Sequence, residues 1–182
     1  VMFSYDPQDK VLFSADAFGK FGANDIEDPE GWACEARRYY FGIVGKFGKN
    51  VQAVLQKVAA FDVERICPLH GPVLSENLAY YVETYTTWAH YEPENSGVTI
   101  AYASVYGHTK QAAEELARAL EEKGQTVSLF DLARDDMAEA VEDAFRYDRL
   151  VLASITYAGD IFPFMTTFIH TLAEHAYQNR KV

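Results

Sequence analysis

Val98-Thr99-Ile100-Ala101-Tyr102-Ala103 is an apolar run of strand length, and Ser104-Val105-Tyr106-Gly107-His108-Thr109 carries it straight into a helix. The helix is expected over His108–Lys123, with Ala112, Leu116, Ala119 and Leu120 on its buried face. Lys123-Gly124 closes it with a basic last turn and a glycine just past the end. Beyond it the pattern repeats: a strand at Val127–Phe130, a helix at Asp135–Arg146, a strand at Leu150–Ser154 and a helix at Phe164–Tyr177. Strands alternating with helices of this length make βαβ units and a parallel sheet. Residues 98–182 therefore read as doubly wound α/β.

Upstream, Glu92-Pro93-Glu94-Asn95-Ser96-Gly97 has linker composition. The expected organisation is a first domain at 1–92, a linker at 93–97 and a second domain at 98–182. In the first domain Met2–Tyr5 and Val11–Ala15 flank the turn Asp6-Pro7-Gln8-Asp9, a hairpin signal. Helices follow at Trp32–Phe47 and Asn50–Phe61, then a short buried strand at Val63–Cys67. Pro68-Leu69-His70-Gly71-Pro72 forces an irregular turn. Ser75 is expected to cap a helix that runs to about His90.

The 182 residues carry a formal net charge of −11, which disfavours a phosphate backbone or an anionic bilayer as partner. Hydrophobic residues at 49% exclude intrinsic disorder. No apolar run reaches the roughly 18–20 residues of a spanning helix, and residues 1–20 carry Asp6, Asp9 and Asp16 with no basic head. Cys34 and Cys67 lie in no CxxC and are expected buried and inert. A reduced cytoplasm is the expected compartment.

The loop 104–109 lies where ligands of parallel sheets sit, beyond the carboxyl end of a strand. It ends at a helix N-terminus, whose free N–H groups favour an anion. Ser104 and Thr109 add hydroxyl donors, and Gly107 lets the backbone curl around a phosphate. The loop is neither GxGxxG nor GxxxxGK[ST], so a phosphate monoester fits better than a dinucleotide or nucleoside triphosphate. The plain alternative is an ordinary βα turn capped by Thr109. A second polar loop, Ser154-Ile155-Thr156-Tyr157-Ala158-Gly159-Asp160, falls at the same sheet edge and offers an aromatic to a flat ring.

In the first domain, Asp16 follows one strand and His70 follows another. A carboxylate and an imidazole on strand-terminal loops suit a hard or borderline metal. Each residue taken alone also reads as a turn former. His90, His170 and His175 share no motif and read as surface or packing residues. Tyr80, Tyr81, Tyr85, Trp88 and Tyr91 read as an aromatic core or interface. The acidic start of helix 135–146 suits the helix dipole and reads as a solvated face.

Taken in order, Ser-x-Asp-Ala-Phe-Gly after a strand, helical Glu35-Ala36-Arg37-Arg38-Tyr39-Tyr40, Pro-Leu-His-Gly-Pro, a Tyr/Trp-rich helix and then the phosphate loop resemble the flavodiiron proteins. Those fuse a metallo-β-lactamase-like domain to a flavodoxin-like one. The resemblance implies the C-terminal part of an αββα metallo-β-lactamase-like domain followed by the N-terminal part of a flavodoxin-like doubly wound parallel sheet. It implies FMN, with Ser104, Tyr106, Gly107, His108 and Thr109 around the phosphate and Thr156, Tyr157, Ala158 and Gly159 near the isoalloxazine. It implies iron, with Asp16 bridging two ions and His70 binding one. The family's earlier His-x-Glu-x-Asp-His motif does not occur, and Ile155 and Ala158 replace the Pro and Asn that relatives often carry. The chain is thus expected to be the middle of a longer polypeptide, to hold neither cofactor well alone, and to leave strand 150–152 with an unpaired edge.

The implied activity is an oxidoreductase. Electrons from a small rubredoxin-like donor pass through FMN to a diiron site that reduces dioxygen to water or nitric oxide to nitrous oxide. A head-to-tail homodimer is implied with it. The alternative is an FMN-binding electron carrier whose metal domain is vestigial.

Overall fold

The computed structural model describes residues 3–25 and 31–182 and divides into a first unit ending at His90 and a second beginning at Tyr91. In the first unit, β1 (Ser4–Asp6) and β2 (Val11–Ala15) form the expected antiparallel hairpin. The part of that expectation falling on Met2 lies outside the described residues. The Asp6 carboxylate accepts from the Gln8 and Asp9 N–H groups and so closes the turn. β3 (Arg65–Pro68) joins β2 in parallel, giving the order β1-β2-β3.

The stretch expected as one helix over 32–47 is continuous but changes its winding. α1 (Trp32–Tyr39) passes into a π-helical turn, Tyr40–Val44, and a 3₁₀ turn, Gly45–Phe47. α2 (Gly48–Val58) follows directly. The widened turn lets both Tyr40 and Phe41 enter the core, where they are 0% and 2% exposed. α3 (Leu78–Ala89) is not capped by Ser75: its N-cap is Asn77, left-handed at φ 48, with no side-chain cap bond. The core of this unit is aromatic, with Phe18, Tyr40, Tyr85 and Trp88 fully buried in mutual ring contact.

In the second unit β4 (Asn95–Tyr102), β5 (Val127–Asp131) and β6 (Tyr147–Ala153) form a parallel sheet in the order β5-β4-β6. Central β4 is covered on both faces, which is why its sequence reads as a continuous apolar run. α4 (His108–Glu121) and α5 (Met137–Arg146) flank the sheet, and α6 (Pro163–Glu174) follows a two-residue hairpin, β7 (Thr156–Tyr157) and β8 (Asp160–Ile161). Gly124 ends α4 as expected: its N–H donates to Glu121 and that of Gln125 to Leu120, at φ 75 for the glycine.

Several expectations need correction. The stretch 93–97 gives residues 95–97 to β4. Gly97 is needed there because a Cβ would stand 2.3 Å from the Tyr147 ring, while its N–H donates to the Asp148 carboxylate at 2.8 Å. The buried face of α4 is Ala113 and Ala117, with Leu120 packed beside them; Leu116 is 39% exposed. Alanine is small enough for the helix to close on β4. Cys34 and Cys67 are half-buried rather than buried. The outer edge of β6 is partly paired: Leu150 N–H donates to the Lys181 carbonyl, and Lys181 N–H to that of Asp148. Among the described residues no helix is long and apolar enough to cross a membrane.

Candidate functional site

The first cluster forms at the carboxyl ends of β2 and β3. Ala15 pairs with Pro68 there, after a shift in register, and Leu69 N–H donates to the Ala15 carbonyl at 2.9 Å. β2 ends in a strained turn, with Ala15 at φ 51 and fully buried Phe18 at φ 64. A bulky residue held left-handed costs on the order of 1–2 kcal/mol and persists where packing over-determines it, often at functional sites. The turn is fixed by Ser14 Oγ donating to the Ala17 carbonyl at 2.7 Å.

Half-buried Asp16 projects from this turn and His70 stands exposed on the facing loop. They are neighbours: a Cβ on Gly19 would lie 3.1 Å from the carbonyl oxygens of both. A side chain there would press both backbones back by a few tenths of an ångström. Tyr39, at the end of α1, joins them. Its hydroxyl donates to Asp16 Oδ1 at 3.2 Å and its ring centroid lies 5.6 Å from that of His70. Burial first, and then the Asp16 charge, push the Tyr39 phenol up to about 12, so it stays a donor. Sequence reading missed Tyr39 as a partner of Asp16, because the contact spans a loop and a helix and leaves no local pattern. Among the described residues no group of three or more His, Cys, Asp and Glu converges as a metal cage. Asp16 and His70 thus bring together two donors, a carboxylate that accepts from Tyr39 and an exposed imidazole.

The second cluster lies at the carboxyl edge of the β5-β4-β6 sheet. Half-buried Ser104 follows β4, and its Oγ accepts from the Gly107 N–H at 3.1 Å. Gly107 sits left-handed at φ 92, with nothing within 4 Å of where a Cβ would be. His108 opens α4, exposed, and Thr109 follows in the first turn. Tyr106 is 89% exposed, so its ring flanks the loop. The first N–H groups of a 14-residue helix face this opening, which fits a phosphate.

The β7–β8 hairpin rises after β6 and carries Thr156, Tyr157, Ala158 and Gly159. Tyr157 is 54% exposed and meets Phe162 edge-on at 5.4 Å, a contact sequence reading did not name. Ala158 and Gly159 form a two-residue turn with φ of 51 and 81, the type I′ signature. Asparagine tolerates the left-handed position better than alanine. Ala158→Asn is expected to raise stability by about 0.5–1 kcal/mol, read as a higher urea midpoint.

Residues 99–181 match the family model of a flavodoxin domain. The chain is 30% identical over 171 residues to the anaerobic nitric oxide reductase flavorubredoxin of Vibrio vulnificus, covering 89% of this chain and 34% of that protein. It is 28% identical over 172 residues to an uncharacterized protein of Methanocaldococcus jannaschii, covering 92% and 44%. The chain spans less than half the length of these relatives. Its fold is that of the rubredoxin oxygen:oxidoreductase of Desulfovibrio gigas (TM-score 0.89, 23% identity, 98% of this chain and 47% of that one). It is equally that of the crystal structure of the flavodiiron protein from Giardia intestinalis (TM-score 0.90, 21% identity, 96% and 44%).

Proposed function

Because the chain belongs to the flavodiiron family, we propose that it serves an oxidoreductase in which FMN feeds electrons to an iron site that reduces dioxygen or nitric oxide. The observation that carries this reading is the meeting of Asp16, His70 and Tyr39 in a chain that also builds an anion-ready loop beyond β4. Asp16 and His70 hold iron, and Ser104, Tyr106, Gly107, His108 and Thr109 surround the FMN phosphate. Thr156, Tyr157, Ala158 and Gly159 border the flavin ring. When bound, the flavin supplies electrons and the iron supplies the site of reduction.

The protein's own work is positional. The Ser104 hydroxyl closes the loop on Gly107, so that the α4 N-terminus stays aimed at one anion. The Tyr39 hydroxyl orients the Asp16 carboxylate, and burial keeps its proton in place. A small rubredoxin-like donor, a homodimer and a cytoplasmic setting complete the proposal.

Titration of FMN followed by flavin fluorescence tests the flavin half. Ser104→Ala is expected to weaken binding about tenfold, the equivalent of one lost hydrogen bond near a charged group. Affinity equal to that of the unaltered chain would place the phosphate elsewhere.

A further inference from the structure

Trp32 and Trp88 are the only tryptophans of the chain, and their rings stack 5.8 Å apart at 14°. On the inner side Trp88 meets Tyr85 at 5.2 Å. Tyr85 is fully buried and lines, with Asp16, a cleft of about 580 Å³. On the outer side Trp32 meets Tyr81 at 4.7 Å, and Tyr81 meets Tyr80 at 5.3 Å. Tyr80 is 41% exposed. Five oxidisable rings thus run in contact from the wall of the Asp16 cleft to solvent, and no phenylalanine or aliphatic residue interrupts the file.

We infer that Trp88, Trp32, Tyr81 and Tyr80 form a one-electron relay that carries an electron vacancy to the surface, with the enclosed Tyr85 ring as the bridge between Trp88 and the Asp16 cleft. Ring contact provides the electronic path, and proton chemistry provides the direction. A phenol gives up an electron readily only where its proton can leave. Tyr85 is enclosed, and burial holds its proton. Tyr81 is only half-buried, its phenol pushed up by burial first and then by Tyr80 and Glu76, and Tyr80 beside it is 41% exposed and reaches water. A vacancy that enters at Trp88 or Trp32 therefore settles outward.

The balance is simple. An oxidised Trp32 indole that has released its N–H proton to water takes one electron from Tyr81 and one proton back from water and is restored. Tyr81 loses its phenolic proton to Glu76 or water and becomes a neutral tyrosyl radical. One electron from a thiol-class reductant, with one proton, returns the phenol. The source of the vacancy in the cell, a partly reduced oxygen species at the Asp16 end, rests on the function proposed above. The relay itself does not, and its test needs neither metal nor flavin.

Pulse radiolysis of the cofactor-free chain with azide radical oxidises tryptophan, and transient absorption separates indolyl from tyrosyl radicals. The indolyl signal is expected to decay as the tyrosyl signal grows, at a rate independent of protein concentration. In Y80F/Y81F, a change that keeps both rings, the tyrosyl growth is expected to be lost and the indolyl radical to persist. Circular dichroism equal to the unaltered chain confirms that the variant folds. A rate that scales with protein concentration, or unchanged tyrosyl growth in Y80F/Y81F, would overturn the relay. Intact transfer in a chain that binds no iron would leave the relay standing and count only against the proposed function.

Discussion

Arg180→Ala is expected to cost the second unit about 3 kcal/mol and to lower its Tm by roughly 10–20 °C. The Arg180 guanidinium donates to the carbonyls of Tyr91 at 2.6 Å, Gln178 at 2.8 Å and Glu92 at 3.2 Å, and also to that of Phe145. It lies 5.6 Å from the Phe145 ring centroid and 5.8 Å from that of Tyr177. One side chain thus ties the tail to the end of α5 and to the strained entry of the unit, where Tyr91 is left-handed at φ 57. Alanine leaves these carbonyls unmet and removes the flat group that covers two rings. Arg180→Lys keeps the charge but not the planar fork, and is expected to recover less than half of the loss. Both tryptophans lie in the first unit, so their fluorescence transition should stay in place while the circular dichroism transition of the second unit moves. A circular dichroism midpoint unchanged in urea would contradict this account of Arg180.

Asp16→Ala is expected to lower iron affinity by more than about 100-fold, beyond the range for loss of an outer-shell partner. The substitution removes the carboxylate that Tyr39 orients and strips one of the two donors from the β2–β3 edge. Asp16→Asn keeps the shape and can still accept from Tyr39, so it separates charge from fold. It is expected to lose most of the iron and keep the thermal stability. FMN binding, proposed to rest on Ser104, residues 106–109 and residues 156–159, should be untouched in both variants. Equilibrium dialysis against ferrous iron reads the first effect and flavin fluorescence the second. Iron retained in both variants would remove Asp16 from the metal reading.

The second unit was the more legible half, for a physical reason. β4 is buried on both faces, so its apolar run stands out in sequence and fixes where the loop 104–109 must begin. The glycine that ends α4 is a local signal of the same kind, whereas the β7–β8 hairpin shows in sequence only as a polar loop. The details that sequence did not give depend on tertiary contact. Ala112, Ala113, Ala117 and Ala119 offer α4 several possible inner faces, and only docking on β4 selects Ala113 and Ala117. The π-helical turn at Tyr40–Val44 comes from packing Tyr40 and Phe41 into one core, which helical spacing does not announce. Asp135, Asp136 and Glu139 are exposed, as expected of the acidic start of this helix, but Glu142 and Asp143 further along it are buried at 4% and 8%. The Asp143 backbone carbonyl accepts from buried Thr99, and its carboxylate stands 3.6 Å from Arg146. In the first unit the order of motifs pointed to Asp16 and His70, but the contact of each with Tyr39 is long-range and needed the fold.

The central claim is that this chain carries parts of both an FMN site and an iron site. Its most direct test is the quantification of iron and flavin on the protein isolated from its native cells, with the intact mass measured on the same sample. The account predicts flavin released as FMN together with bound iron. Flavin without iron would favour an electron carrier with a vestigial metal domain, and neither cofactor would contradict the account outright.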